Sequence, residues 1–236
     1  MAQAESRIIV ALDFEDIREA KVLVDKLSPQ HCKLKIGKQL FTQQGPQWVE
    51  TLVGKGFDIF LDLKFHDIPH QVALACKEAT KLGVWMLNVH ASGGRTMLAA
   101  AREAVNSVNV DRTPKLIGVT VLTSLEQTDL TEIGILDPVA VQVERLAKLC
   151  EAEGLDGVVC SAQEAQMLRQ VCGSEFLLVT PGIRLDEKTK GDQKRIVTPT
   201  QAMAWGVDYL VIGRPITAAL DPLSVIESIQ LSLTTR

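Results

Sequence analysis

Residues 58–67, with the sequence DIFLDLKFHD, predict a β strand that carries charges on one face. Side chains alternate between the two faces of a strand, so the apolar residues at alternate positions from Ile59 to Phe65 share one face. Asp62 and Lys64 share the other face. If the apolar face packs under helices, the two charged side chains point into the interior of the sheet, near the carboxyl end of the strand.

Seven further β-rich stretches recur along the chain, with amphipathic, helix-compatible segments between them. In chain order, the eight stretches are RIIVALDF (7–14), CKLKIG (32–37), DIFLDLKF (58–65), VWMLNVH (84–90), KLIGVTVL (115–122), DGVVCS (156–161), FLLVTPGI (176–183) and YLVIGRP (209–215). Apolar residues repeat at helical spacing in residues 17–27, 69–83 and 138–154. Strands that alternate with helices predict a parallel sheet.

Eight such units closing on themselves predict an α/β fold of the (β/α)8, or TIM, barrel type. A doubly wound open sheet is the weaker alternative, because no GxGxxG motif follows the first strand. The chain has 236 residues, of which 46% are hydrophobic and 23% charged. A single (β/α)8 barrel takes about 250 residues, and no linker or low-complexity tract divides the sequence. We therefore expect one domain over residues 1–236.

The charge and composition exclude several classes of partner. The net charge is −4 and the basic residues are scattered, so nucleic acid is not expected as a partner. No apolar run approaches the roughly 20 residues of a membrane helix, and residues 1–10 lack a signal-peptide core. We expect a cytoplasmic protein without membrane contact. The five cysteines contain no CxxC pair, which argues against a zinc site and a disulfide framework and favours small core residues.

Two more charged residues fall at the same predicted end of the sheet. Lys35 lies on the second strand, and Asp13 ends the first. With Asp62 and Lys64 they would bring two cations and two anions to one mouth of the barrel. A structural ion-pair network is the alternative, but buried ion pairs stabilise a fold poorly because their desolvation is costly. A catalytic cluster is the favoured hypothesis.

The two histidines nearest this cluster, His66 and His90, are interpreted differently. Either could be proposed as a general base or a metal ligand. No second His or Cys lies at ligand spacing from them in the sequence. We therefore interpret both as hydrogen-bonded structural residues and predict no metal site.

Two features predict a phosphate-binding end. Residues 212–215, IGRP, follow the eighth strand, where Gly213 lets backbone N–H groups approach an anion and Arg214 offers a guanidinium that matches phosphate oxygens. The charged loop at residues 184–199 follows the seventh strand, and phosphate sites of such barrels use the loops after these two strands. It supplies Arg184 at its root and Gln193 as a neutral donor. A merely solvated loop is the alternative interpretation.

Taken together, these motifs closely resemble those of the orotidine 5′-monophosphate decarboxylases. The resemblance extends from the first strand to the eighth, and DLKFHDIP is its most specific part. The matching stretches are ALD (11–13), KLKIG (33–37), DLKFHDIP (62–69), NVHASGG (88–94), VTVLTS (119–124), TPGIR (180–184), GDQKR (191–195) and VIGRP (211–215).

The resemblance implies a metal- and cofactor-free conversion of orotidine 5′-monophosphate (OMP) into UMP and CO2, the last step of de novo UMP biosynthesis. It implies that Lys64 donates the proton and that Asp62 and Lys35 are its charged neighbours. Asp67 would be the fourth member of this array and would reach into the site of a partner subunit. The implied assembly is a homodimer with shared active sites.

The resemblance also implies the residues that bind the substrate. Asp13 and Lys35 would hold the ribose hydroxyls, and Thr123 would contact the pyrimidine edge. Arg184, Gln193, Gly213 and Arg214 would bind the phosphate. The remaining substrate contacts would come from Asp62, Lys64, Asp67, Ile68 and Pro181.

Two other functions stay open. A magnesium-dependent sugar-phosphate lyase or decarboxylase of the same superfamily, such as a hexulose-phosphate synthase, shares the pattern Asp-x-Lys-x-x-Asp on the third strand. Those relatives hold magnesium with an acid on the second strand, where this chain has Lys35, whose charge opposes a cation. The other alternative is a barrel that binds a nucleotide without catalysis, since a fold alone does not define a function.

Overall fold

Eight parallel strands pair in chain order, and β8 pairs with β1, so the sheet closes into a barrel. The computed structural model describes residues 5–185 and 197–234. The strands are β1 (Ile8–Ala11), β2 (Lys33–Gly37), β3 (Ile59–Phe65), β4 (Met86–His90), β5 (Lys115–Val119), β6 (Gly157–Val159), β7 (Leu177–Thr180) and β8 (Tyr209–Ile212). The predicted (β/α)8 barrel is confirmed, and each of the predicted stretches contains one strand. A single domain over residues 1–236 stays a prediction.

Helices connect the strands and surround the barrel. They are α1 (Ile17–Val24), α2 (Lys38–Gln44), α3 (Pro46–Gly54), α4 (Pro69–Lys81), α5 (Arg95–Asn106), α6 (Gln127–Glu132), α7 (Val139–Ala152), α8 (Ala165–Cys172), α9 (Pro199–Ala204), α10 (Arg214–Thr217) and α11 (Pro222–Thr234). The three predicted helical segments correspond to α1, α4 and α7. The last two end shortly before Gly83 and Gly154, whose positive φ angles of 74° and 70° turn the chain out of the helix.

Alternating side chains divide the apolar core into two layers. Ile8 and Val10 of β1 belong to the large cluster that the strands share with the helices, whereas Ile9 belongs to a second cluster. This second cluster is built from strand residues and Trp85, which precedes β4, so it fills the barrel interior. The interior below the carboxyl end is therefore packed, as in other barrels of this class, and a site can form at the mouth.

A buried lysine closes the opposite end of the barrel. The side chain of Lys33 is 4% exposed and points into the barrel, where its Nζ lies 2.9 Å from Glu5 Oε1 and 2.6 Å from Asp58 Oδ2. The same ammonium lies 4.3 Å from the centroid of the Trp85 ring. Two carboxylates and an aromatic face therefore compensate for the desolvation of this charge.

The structure also bears on two expectations from composition. All five cysteines are buried and free, as expected for core residues, and burial raises the thiol pKa of Cys32, Cys76 and Cys150 to about 12. Within residues 5–185 and 197–234, no helix is both long enough and apolar enough to cross a membrane.

Candidate active site

A cavity of about 590 Å³ lies at the carboxyl ends of the strands. It is the location at which catalytic groups of (β/α)8 barrels collect, because the loops that follow the strands all meet there. Most of the residues that the sequence pointed to line this cavity. They are Asp13, Lys35, Asp62, Lys64, Thr123, Pro181, Arg184, Gly213 and Arg214.

Four charged side chains form a continuous network on one wall of the cavity. Lys35 Nζ lies 2.8 Å from Asp13 Oδ1 and 3.5 Å from Asp62 Oδ2. Lys64 Nζ lies 2.6 Å from the other oxygen of Asp62. The two cations and two anions therefore alternate in the order Asp13, Lys35, Asp62, Lys64. Their charges compensate one another locally, which keeps the cluster compatible with partial burial.

Asp62 is the most constrained carboxylate of the network, with a side chain that is 12% exposed. Burial alone would raise its pKa, but the charges of Lys35 and Lys64 and the hydrogen bonds from Lys64 and Asn88 hold the pKa below its usual value. Asp62 is therefore an anion at neutral pH. A fixed negative charge thus lies directly beside the ammonium group of Lys64.

A backbone irregularity places Lys64 in the cavity. Strand β3 pairs with β4 through Leu61 and Leu87, and then through Phe65 and Val89. Between these pairings β3 has three residues, 62–64, where β4 has only Asn88, so β3 bulges at the position of the two catalytic candidates. Among described residues other than glycine, Lys64 alone has a positive φ, 51°.

The other side of the cavity carries the groups predicted to bind phosphate. Arg184 is 8% exposed, and its Nη1 donates to the carbonyl oxygen of Ile183 at 3.0 Å. Arg214 is exposed and begins α10 directly after Gly213. The backbone N–H of Arg184 also donates to the carbonyl oxygen of Val197 at 3.0 Å, which joins the two ends of the charged loop predicted at residues 184–199. Gln193 lies outside the described residues.

Two predicted site residues are placed elsewhere. Among the described residues, Asp67 and Ile68 do not line the cavity. Asp67 is exposed, and its Oδ1 accepts a hydrogen bond from the backbone N–H of Ile68 at 2.6 Å. Ile68 is 63% exposed, which is unusual for an isoleucine. Within a single chain, neither residue therefore contributes to the charged wall.

His66 and His90 lie side by side at the rim, with ring centroids 5.4 Å apart. Burial, followed by the charges of His66, Lys38 and Lys64, lowers the pKa of His90 to about 4, so His90 is neutral at pH 7. The described residues contain no group of three or more His, Cys, Asp or Glu side chains that could hold a metal ion. Among the described residues, neither histidine therefore has the further ligands that a metal site would need.

Sequence reasoning missed one polar residue of the site. Asn88 is completely buried and forms hydrogen bonds with both Lys64 and Asp62. Its signal in the sequence is a single amide in the otherwise apolar strand MLNV, where it shares the inward face with Met86 while Leu87 and Val89 face the helices. The register of β3 against β4 is needed to find its contacts with Asp62 and Lys64.

The closed barrel, the charged wall and the arginines across the cavity define a (β/α)8-barrel enzyme whose site suits an anionic substrate. The chain belongs to the Orotidine 5′-phosphate decarboxylase / HUMPS family, whose model matches residues 6–229.

Individual relatives agree with this assignment. The chain is 59% identical to a protein named orotidine 5′-phosphate decarboxylase from Tolumonas auensis, over 97% of this chain and 99% of that one. It is 55% identical to the protein of the same name from Escherichia coli, over 98% and 94%. Among solved structures, the orotidine 5′-phosphate decarboxylase of Lactobacillus acidophilus has a TM-score of 0.88 and 37% identity, over 98% of this chain and 100% of that chain.

Proposed function

We propose that this protein decarboxylates orotidine 5′-monophosphate to UMP and CO2, with Lys64 as the proton donor and without a metal or organic cofactor. The observation that carries the proposal is the alternating network at the cavity wall, in which Lys64 Nζ lies 2.6 Å from the partly buried carboxylate of Asp62. A fixed cation and a fixed anion therefore lie side by side in the lining of the cavity.

This pair matches the charge changes of the reaction. When the bond between carbon six and the carboxylate breaks, the electron pair stays on carbon six in the plane of the ring, where the ring π system cannot delocalise it. The ammonium of Lys64 stabilises that developing charge and then transfers a proton to form the new C–H bond. The Lys64 side chain is 26% exposed, so solvent can return the proton to the neutral amine after the product leaves.

Asp62 has two effects in this scheme. Its charge holds the Lys64 ammonium in place, and it lies next to the position proposed for the substrate carboxylate before CO2 departs. Substrate carboxylate and Asp62 carry the same charge, so their repulsion is relieved as neutral CO2 forms. The stabilisation of the transition state by Lys64 is the larger part of the proposal, because it acts on charge that develops only in the reaction.

Binding of the nucleotide uses the remaining walls. Asp13 and Lys35, which are 2.8 Å apart, are proposed to bond the ribose hydroxyls, and Thr123, which lines the same cavity, is proposed to bond the pyrimidine edge. Arg184 and Arg214 supply the positive charge for the phosphate, with Gly213 and Pro181 in the adjoining backbone. Gln193 is proposed as a further phosphate ligand from the charged loop at residues 184–199.

We also propose that the active form is a homodimer in which Asp67 completes the site of the partner subunit. Asp67 is exposed and lies outside its own cavity, although it is only three residues from Lys64. Ile68, the next residue in the sequence, is 63% exposed, and Leu74 on the following helix α4 is 45% exposed, so exposed apolar side chains follow the carboxylate along the chain. A two-fold interface over this surface would bring one Asp67 to each cavity. Ile68 would join the substrate contacts in the same way.

A purified, dialysed protein tests the proposal. Loss of OMP absorbance is followed in the presence of EDTA, and formation of UMP is verified by chromatography. We expect the full rate in EDTA, since Lys35 occupies the strand position at which a magnesium-binding relative has an acid. Activity that disappears in EDTA and returns with magnesium would identify the metal-dependent alternative. Binding of UMP without any turnover of OMP would identify the non-catalytic barrel.

A further inference from the structure

We propose that Asn88 is the residue that positions Lys64 and Asp62 for proton transfer. The inference rests on the proposed decarboxylation, and it adds a role for a side chain outside the set of groups that contact substrate. Asn88 lies on β4, is 0% exposed, and is the one residue of β4 that faces the three-residue bulge at 62–64. From the neighbouring strand it therefore contacts both the backbone of Lys64 and the carboxylate of Asp62.

The hydrogen bonds of Asn88 have fixed directions. The backbone N–H of Lys64 donates to Asn88 Oδ1 at 2.8 Å, and Asn88 Nδ2 donates to Asp62 Oδ1 at 2.7 Å. A backbone N–H can only donate and an ionised carboxylate can only accept, so the amide orientation follows from its two neighbours. One side chain thus links the backbone of the proton donor to the carboxylate that holds its ammonium.

The bond to the Lys64 backbone has a second consequence. A left-handed φ is unfavourable for a residue with a side chain and persists only when its surroundings enforce it. In the bulge the N–H of Lys64 lacks the regular register with β4, and the Asn88 amide supplies an acceptor there. Loss of this acceptor would let residue 64 return to extended backbone and would move its Nζ away from the reacting carbon.

The chemistry of the site favours an amide over its isosteres at this position. Aspartate could accept the hydrogen bond from Lys64, but its ionised form could not donate to Asp62 and would repel it at 2.7 Å. Leucine has nearly the same shape, but it leaves the backbone N–H of Lys64 without its acceptor and removes one of the two donors to Asp62 Oδ1. Of these three residues of similar shape, only asparagine offers an acceptor and a donor with no added charge.

The first test compares Asn88→Leu with the wild type. We expect kcat to fall about 10²-fold, the cost of a misplaced catalytic group, while KM for OMP changes little because the ribose and phosphate ligands are untouched. Thr80→Val is the matched control: it removes another hydrogen bond of a buried side chain, from Thr80 Oγ1 to the carbonyl oxygen of Cys76 at 2.8 Å, far from the cavity. Its kcat and KM should equal those of the wild type.

Asn88→Asp gives a readout that a purely structural role would not produce. The new carboxyl group is buried beside Asp62, and burial and the neighbouring anion raise its pKa, whereas the Lys64 ammonium, already paired with Asp62, opposes this rise. Its protonated form can donate to Asp62 and accept from Lys64 as the amide does. The ratio of the variant's kcat to that of the wild type should therefore be highest at low pH and decrease as pH rises.

These measurements separate the inference from the proposed function. If Asn88→Leu keeps the wild-type kcat, or if Asn88→Asp follows the wild type at every pH, Asn88 does not position the pair. Failure of the wild type to convert OMP would instead refute the proposed function. The crystallographic φ of Lys64 in wild type and Asn88→Leu decides the positioning role independently of activity: we expect a positive φ only in the wild type, and a positive φ in both refutes it.

Discussion

Replacement of Lys64 by alanine is the most direct perturbation of the proposed chemistry. General acid catalysis contributes about 10²- to 10⁴-fold, and a preorganised group that stabilises developing charge contributes about 10²- to 10³-fold. Lys64 is proposed to do both, so Lys64→Ala should reduce kcat/KM by about 10⁴- to 10⁷-fold, or roughly 5–10 kcal/mol of transition-state stabilisation.

The fold should survive this substitution. Asp62 keeps Lys35 at 3.5 Å and the Asn88 amide at 2.7 Å after the Lys64 ammonium is removed. One lost charged partner costs about 1–3 kcal/mol, which corresponds to a decrease in Tm of only several degrees in a chain of this length. Thermal unfolding followed by circular dichroism, together with OMP turnover at 25 °C, therefore separates lost catalysis from lost structure.

Two further lysine variants sharpen the assay. Lys55→Ala breaks an exposed ion pair with Asp25 of similar length, 2.8 Å, and should leave turnover unchanged. Lys64→Arg keeps the positive charge but holds its proton too tightly to deliver it, so it should recover only a small part of the loss. If Lys64→Ala retained a third of the wild-type rate, or if Lys64→Arg were fully active, the assignment of Lys64 as proton donor would be wrong.

Three other predictions follow from the site. Arg214→Ala should lower kcat/KM for OMP about 10- to 100-fold, as expected for the loss of a charged hydrogen bond, but should hardly change kcat/KM for orotidine, which lacks the phosphate. Equal losses on both substrates would exclude Arg214 as a phosphate ligand. Mixing inactive Lys64→Ala chains with inactive Asp67→Ala chains should restore about a quarter of wild-type activity per chain, because random exchange makes about half of the dimers mixed and each mixed dimer has one intact site. No recovery after exchange verified by mass spectrometry would contradict the shared site. The pKa of His90 is lowered from 6.5 to about 4, so as pH falls the unfolded chain binds the proton first, and the free energy of unfolding of the wild type should decrease between pH 6.5 and pH 4. In urea unfolding, His90→Gln should lack this part of the decrease, and a pH dependence identical to that of the wild type would refute the assignment to His90.

Strand periodicity and element order were sufficient to predict the barrel. Each strand carries a short apolar run that a period of two or a continuous buried face explains, and these signals are local in sequence. The position of Lys35 and Asp62 on the cavity wall was predictable for the same reason. The residues next to them on their strands are apolar and pack under helices, so the two charged side chains point the other way.

The remainder of the site depends on relations between strands. Alternation also predicted that Lys64 points inward, and it lines the cavity, but the bulge and the positive φ that position it there are not contained in a pattern of period two. The contacts of Asn88 follow from the pairing of β3 with β4, which sets three residues against one. The exposed position of Asp67 is likewise set by the turn after β3, and its proposed role depends on a second chain.

The Lys33 cluster at the amino end of the barrel has a practical consequence for capturing the reaction. Its ammonium is satisfied by Glu5 and Asp58 and does not contact the catalytic wall. Electrostatic changes at the carboxyl end therefore leave the closure of the opposite end intact. Chemically inert variants such as Lys64→Ala should therefore keep a closed barrel, and they are suitable for growing crystals that contain unreacted nucleotide.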